Sequence, residues 1–136
     1  MSALRGPAQA VDTTRIRMPV PLTTAYAVPA GSRVVFFSGL TAKDAEGATV
    51  APGDAAAQAE HILDGIEDAL GQIGGSLENV IKLTVYLQDR ADGPVVGRVR
   101  GQRFSSGPPP ASTMVVAQLM SDDQLVEIEA IAALPT

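Results

Sequence analysis

The chain has 136 residues and a formal net charge of −5, from 10 Lys and Arg against 15 Asp and Glu. That length predicts one domain. The negative charge argues against binding to nucleic-acid phosphates, which needs a positive field. The lack of cysteine excludes disulfides, thiolate metal sites and a cysteine nucleophile. No apolar run reaches the length of a membrane span, and no apolar signal core opens the chain, so we expect a cytoplasmic protein that does not use a membrane.

The first third of the chain is rich in turn-forming residues. Residues 1–14 show no periodicity and are predicted to form a flexible arm ahead of a single domain over residues 15–136. Prolines interrupt residues 15–29, which allows at best an edge strand. The continuous Val and Phe residues from Arg33 to Ser38 predict a strand that is buried on both faces. Gly39 follows, either as a simple bend or as a backbone amide that can meet a ligand.

A long amphipathic helix comes next. Asp54 is a good N-cap, and apolar residues then recur at spacings of three and four, so we predict a helix over residues 55–73. Gly74 and Gly75 are suited to end it. The one histidine, His61, lies in this helix, and no second His or Cys exists to complete a metal site. We therefore predict no metal and interpret His61 as a solvated helix residue.

A strand and a weaker helix follow. Val80 to Leu87 alternates apolar and polar residues, which is typical of a half-buried strand. A second helix is predicted to begin near Pro94, a favoured first-turn residue. Its basic side chains are interpreted as a solvated face, an anion site or a subunit contact; they are Arg98, Arg100 and Arg103.

The C-terminal segment is predicted to form two neighbouring strands. Residues 111–119 and 125–133 are rich in apolar residues and are joined by a polar turn. The second run places Glu127 and Glu129 on one face. That face either meets water or directs Glu127 into a cleft that Ser112 and Thr113 help to line. Together the elements predict an α+β fold, a single mostly antiparallel sheet with two helices on one face. An apolar surface on the uncovered face would argue for association.

The motif Val126-Glu127-Ile128-Glu129-Ala130-Ile131-Ala132 resembles the C-terminal signature of the RidA/YjgF family. Two further segments resemble the same family, and they are Phe37 to Leu40 and Gln58 to Leu87. The resemblance spans roughly residues 26–132. It implies a chorismate-mutase-like fold and a homotrimer with a cleft at each subunit boundary.

The resemblance also implies a chemistry that needs no cofactor. Active members of the family hydrolyse enamines and imines released by pyridoxal-phosphate enzymes, giving a 2-keto acid and ammonia. In those members an arginine grips the substrate carboxylate, and a glutamate positions the water. Glu127 falls on the glutamate, whereas Ala111 stands at the arginine position. Ser38, Gly39 and Ser112 match ligand-binding positions of the family, Tyr26 lies near its cleft tyrosine, and Thr113 stands at a position that is often Cys.

Three functional hypotheses follow from this pattern. The first is a homotrimer that binds a small metabolite in its inter-subunit clefts, with weak or lost 2-imino acid deaminase activity because of Ala111. The second is an active enamine or imine deaminase that uses an arginine from elsewhere, with Arg33, Arg98 and Arg103 as candidates. The third is a non-catalytic binding or regulatory protein. Ribonuclease activity is disfavoured because the net charge is negative and aromatic residues make up only 4% of the chain.

Overall fold

A computed structural model describes residues 4–136. Its strands are β1 (Leu4–Arg5), β2 (Ala8–Val11), β3 (Ala25–Ala27), β4 (Arg33–Phe36), β5 (Leu40–Thr41), β6 (Val80–Leu87), β7 (Ala111–Val116) and β8 (Val126–Leu134). Its α-helices are α1 (Ala55–Gly71) and α2 (Gly93–Arg103). No helix within these residues has the length and apolar character needed to cross a lipid bilayer.

The main sheet has the order β4-β8-β6-β7, and β5 also pairs with β8. The β6–β7 pair is parallel and the others are antiparallel. Alternate residues of β6 and β8 pack with α1 and α2 in one apolar core, among them Leu83, Val85 and Ile128. The two helices therefore cover one face of this sheet, which confirms the predicted α+β class.

The prediction that the last two strands are neighbours is wrong. β6 lies between them, parallel to β7 on one side and antiparallel to β8 on the other. The reason is the connection: α2 is the crossover that parallel pairing of β6 and β7 requires. That crossover occupies one edge of β6, so β8 pairs with the other edge.

The prediction of a loose N-terminal arm and a single sheet is also corrected. β1, β2 and β3 form a second, antiparallel sheet, in which Arg5 and Ala8 are buried. Gly6 and Pro7 are the two-residue turn between β1 and β2, with Gly6 at φ 60°. Glycine and proline at these two positions suggested an irregular segment, but here they form the tight turn of a β-hairpin. Residues 1–3 of the predicted arm lie outside the described residues.

The ends of α1 follow the sequence pattern. The Asp54 carboxylate accepts a hydrogen bond from the Ala57 amide at 3.0 Å, as an N-cap should. The helix ends at Gly71, two residues before the predicted end. Gly74 then takes φ 83°, and the Gly75 amide donates to the Leu70 carbonyl at 2.8 Å. This turn satisfies a carbonyl of the last helical turn.

The face of the main sheet opposite the helices is only partly covered. Tyr26 and Ala8 of the small sheet pack on Ile81 and Ala133 at one end. Elsewhere apolar side chains remain open, with Phe36 75% exposed. The prediction that residues 33–38 are buried on both faces is therefore wrong within one chain, because helices cover one face alone. We call this uncovered side the open face.

Candidate functional site

Glu127 lies near the start of β8, and its position is held from behind by two buried glutamines. The Gln58 side chain on α1 donates to the Asp123 carbonyl and accepts from the Leu125 amide, both at 2.8 Å. Gln124 bonds both the amide and the carbonyl of Ala42, at 3.0 and 3.2 Å. Buried polar groups satisfied in this way fix a unique local arrangement. The entry of β8 into the sheet is therefore fixed.

The Glu127 side chain lies against Gly39. A Cβ built at Gly39 would be 2.5 Å from Glu127 Oε2 and 3.1 Å from its Cδ. Ser38, exposed just after β4, precedes this glycine in the chain. The structure thus brings the sequence-predicted residues Gly39 and Glu127 together, with Ser38 next to Gly39 in the chain. Because only a hydrogen occupies the side-chain position of Gly39, the carboxylate can reach the backbone there.

The other predicted residues lie on β7, and the strand divides them between two faces. Ala111 pairs with Lys82 and Thr113 with Thr84, so these four share the open face with Glu127. Ser112 points to the opposite face, where its hydroxyl accepts a hydrogen bond from Arg100 Nη1 at 3.0 Å. Thr113 therefore belongs to the same surface as Glu127, and Ser112 does not.

Sequence reasoning overlooked Lys82 as a site residue. Its Nζ donates to Thr113 Oγ1 at 2.8 Å, and its backbone lies beside Ala111. It is thus a cation next to the position where the resemblance expects arginine. The available signal was a lysine on the polar side of an alternating strand, together with Thr84 and Tyr86. The pattern showed the shared face but not which strand lay alongside.

A tyrosine–carboxylate pair lies between the two ends of this surface. Tyr86 donates its hydroxyl to Glu129 Oε1 at 2.6 Å. This hydrogen bond raises the pKa of Tyr86, and slight desolvation and the charges of Glu129 and Glu127 add to the effect. The tyrosine is therefore held in its neutral form, as a donor to the carboxylate.

Tyr26 is not beside Glu127 within one chain. Its hydroxyl donates to the Pro109 carbonyl at 2.7 Å. It thereby ties the small sheet to the proline-rich segment that leads into Ala111. The structure places Tyr26 at the Ala111 end of the open face.

The three candidate substitute arginines are mostly engaged within their own chain. Arg103 pairs with Glu60 and Asp64 of α1, at 3.0 and 2.9 Å. Arg33 donates to the carbonyls of Pro135 and Ile73, both at 3.2 Å. Arg98 is exposed on α2. In the part of the chain that the structure describes, no cluster of His, Asp or Glu is arranged to hold a metal ion.

The protein-family comparison matches residues 21–134 to the family described as Endoribonuclease L-PSP. The chain is 34% identical over 114 residues to the 3-aminoacrylate deaminase RutC of Acinetobacter baylyi, covering 84% of this chain and 90% of that protein. It is 33% identical over 119 residues to a RutC family protein of Synechocystis, covering 87% and 92%. These matches span nearly the whole domain.

Solved structures agree in fold. A Rid family protein from Yersinia pestis superposes with a TM-score of 0.82 at 23% identity, covering 94% of this chain and 99% of that one, a likeness of fold alone. A member of the YjgF/YER057c/UK114 family from Mycobacterium tuberculosis superposes with a TM-score of 0.64 at 32% identity, covering 85% and 88%. The family and the chorismate-mutase-like fold predicted from the three matching segments are thus confirmed, and the chain belongs to the RidA/YjgF family, whose domain is described as Endoribonuclease L-PSP.

Proposed function

We propose that this protein is a homotrimer that binds a small metabolite in clefts between subunits, with Glu127 as the acid that positions water and with weak or lost 2-imino acid deaminase activity. The observation that carries this is Ala111 on the open face at the arginine position, while Glu127 remains against Gly39. The water-orienting half of the implied apparatus is present. The half that binds the substrate carboxylate is changed.

The spacing along β6 supports a shared site. Glu127 pairs with Tyr86 and Ala111 pairs with Lys82, four residues away on the same strand. At about 3.3 Å per residue the two positions on β6 are roughly 13 Å apart. Glu127 and Ala111 also lie on strands on opposite sides of β6, which separates them further. One small substrate cannot touch both within a single chain. In the proposed trimer, a second copy brings the Ala111 end of its open face to the Glu127 end of the first, so that both groups can meet one substrate.

The missing guanidinium should reduce the free energy of substrate binding. A hydrogen bond to a charged group contributes about 1.5–3 kcal/mol, and a guanidinium offers two to one carboxylate. Since about 1.4 kcal/mol is a factor of ten, substrate binding should weaken by one to several powers of ten.

A second candidate function is favoured by Lys82. Its ammonium lies beside Ala111 and can attract a carboxylate as a point charge, though without the paired geometry of arginine. A relative is named a 3-aminoacrylate deaminase, whose substrate is an enamine carrying a carboxylate. In this alternative the chain is an active enamine deaminase that uses Lys82 in place of the arginine.

One assay separates the two candidates. Ammonia release is measured from 2-iminobutanoate and from 3-aminoacrylate, each generated in situ by a second enzyme in the assay mixture. The first candidate expects little turnover in the wild type and a gain of at least about tenfold in Ala111→Arg. The second expects turnover of 3-aminoacrylate that falls at least about tenfold in Lys82→Gln, while the other lysine variant, Lys43→Gln, is unchanged.

Two controls complete the assay. Glu127→Gln should abolish turnover in either case, because the amide cannot accept the proton of water. Wild-type turnover of 2-iminobutanoate equal to that of an arginine-bearing relative contradicts the first candidate. Turnover unchanged in Lys82→Gln contradicts the second. If no variant turns over substrate but metabolites still raise the melting temperature, the third hypothesis, a binding or regulatory protein, is favoured.

A further inference from the structure

A large cavity lies on the helix side of the main sheet, away from Glu127. It has a volume of about 920 Å³, is open to solvent on one side, and is lined by residues 18–22, α2 and the start of β7. Its apolar wall includes Leu22, Phe104 and Met114. Met114 and Ser112 face it from β7, whereas Ala111 and Thr113 face the open side. The cavity is thus separated from the proposed cleft by the edge strand itself. Its size is that of a small-molecule site.

Two arginines of α2 line the cavity: Arg98, which is exposed, and Arg100, which is partly buried. Arg100 Nη1 donates to Ser112 Oγ at 3.0 Å, and both residues line the cavity. Among residues 4–136 no carboxylate lies within ion-pair distance of Arg100, whereas Arg103, on the next turn, has Glu60 and Asp64. Burial lowers the pKa of Arg100, as expected for a cation that has lost water without gaining an anion. A partly buried charge of this kind favours an anionic ligand.

Two glycines in α2 keep the cavity open. Gly97 and Gly101 line it, four residues apart on one side of the helix. A Cβ at Gly101 would meet no atom within 4 Å, and one at Gly97 would meet only Arg100 Nη2, at 3.8 Å. Packing therefore does not require glycine at either position. Each nevertheless destabilises the helix by about 1 kcal/mol relative to alanine. What the two glycines have in common is that each leaves open space in the cavity, where a larger side chain would stand.

We propose that this cavity binds a small amphipathic monocarboxylate, with the carboxylate on Arg100 and Ser112 and the apolar part against Phe104, Met114 and Leu22. A guanidinium with a free edge matches a carboxylate by two parallel hydrogen bonds, and the Ser112 hydroxyl is close enough to donate a third. Phe104 is a fixed wall, because the guanidinium of buried Arg5 lies 5.0 Å over its ring. This site is independent of the proposed cleft and its chemistry.

The test uses octanoate as the probe and octanol, the uncharged molecule of the same chain length, as its match. Binding is measured by calorimetry and by the shift of the melting temperature. We expect octanoate to bind at least about tenfold more tightly than octanol, and Arg100→Gln to remove that difference. Arg90→Gln, an exposed arginine outside the cavity, should leave it unchanged.

A second variant keeps the proposal falsifiable if Arg100→Gln unfolds. Gly101→Leu fills open space and improves helix propensity, so it should fold and yet abolish octanoate binding. Equal binding of octanoate and octanol would overturn the proposal. So would octanoate binding that survives Gly101→Leu, or binding that is lost in Glu127→Gln, which would place the ligand in the cleft. A change in oligomeric mass in Gly101→Leu with octanoate binding unaffected would show that a second copy fills the cavity, and would also overturn it.

Discussion

The carboxylate of Glu127 packs against the α-carbon of Gly39, with room there for a hydrogen only. We expect Gly39→Ala to displace the carboxylate and to lower ligand binding or turnover, while stability changes little. The clash is with the end of a flexible side chain, which can rotate away, and the backbone of Gly39 lies outside the positive-φ region. Unfolding midpoints and the ammonia assay check this. The matched control is Gly65→Ala, at an open helical position. Full function in Gly39→Ala would contradict the role given to this contact.

The exposed ring of Phe36 predicts self-association through the open face. Phe36 is 75% exposed, and Val34 and Val115 on the same face are 43% and 42% exposed, an apolar surface of the kind expected at an interface. We expect Phe36→Glu to dissociate the proposed trimer, because it places a charge in an apolar contact. Sedimentation velocity measures the mass. Met120→Glu, fully exposed in a loop, is the control. An unchanged mass in Phe36→Glu would rule out this face as the interface.

The hydrogen bonds of Gln58 predict that replacing this residue lowers the stability of the fold and does not act directly on ligand binding. Gln58→Leu would remove the hydrogen-bond partner of the Leu125 amide and of the Asp123 carbonyl, two part-buried contacts. Each lost hydrogen bond costs about 0.5–1.5 kcal/mol, so we expect the free energy of unfolding to fall by about 1–3 kcal/mol. Urea denaturation measures it. Gln102→Leu, on the exposed side of α2, should change it by less than about 0.5 kcal/mol. A similar loss in both variants would show that the buried network is unimportant.

The Tyr86–Glu129 pair predicts a pH effect. The hydrogen bond to Glu129 raises the pKa of Tyr86 above its ordinary 10.0. Because this hydrogen bond needs the neutral hydroxyl of Tyr86, the stabilisation that it gives the folded protein is complete below pH 10.0. That stabilisation is lost as the pH rises through the raised pKa of Tyr86. We expect Glu129→Gln to shift the tyrosinate absorbance midpoint down. The measurement uses a Tyr26→Phe background, in which one tyrosine titrates. A midpoint that does not move would contradict the coupling.

The sequence by itself determined the α+β class, the long helix that begins at residue 55, the strand over residues 80–87 and the family. These features are local. A helical stripe, an N-cap, a turn glycine and an alternating strand are set by neighbours within a few residues along the chain. The motif around Glu127 is likewise a continuous string, so its likeness could be seen without the fold. The site residues Ser38, Gly39 and Glu127 were named on that basis.

Only the tertiary structure decided which strands lie side by side. Alternation tells which residues of a strand share a face, but it does not tell which strand comes next to it. The parallel pairing of β6 with β7 placed Lys82 beside Ala111 and turned Ser112 away to Arg100. The same pairing creates the cavity beside α2, which no continuous segment of the sequence predicts. Contacts of this kind join parts of the chain that are distant in sequence. They form only because the crossover through α2 determines on which side of β6 the strand β7 pairs.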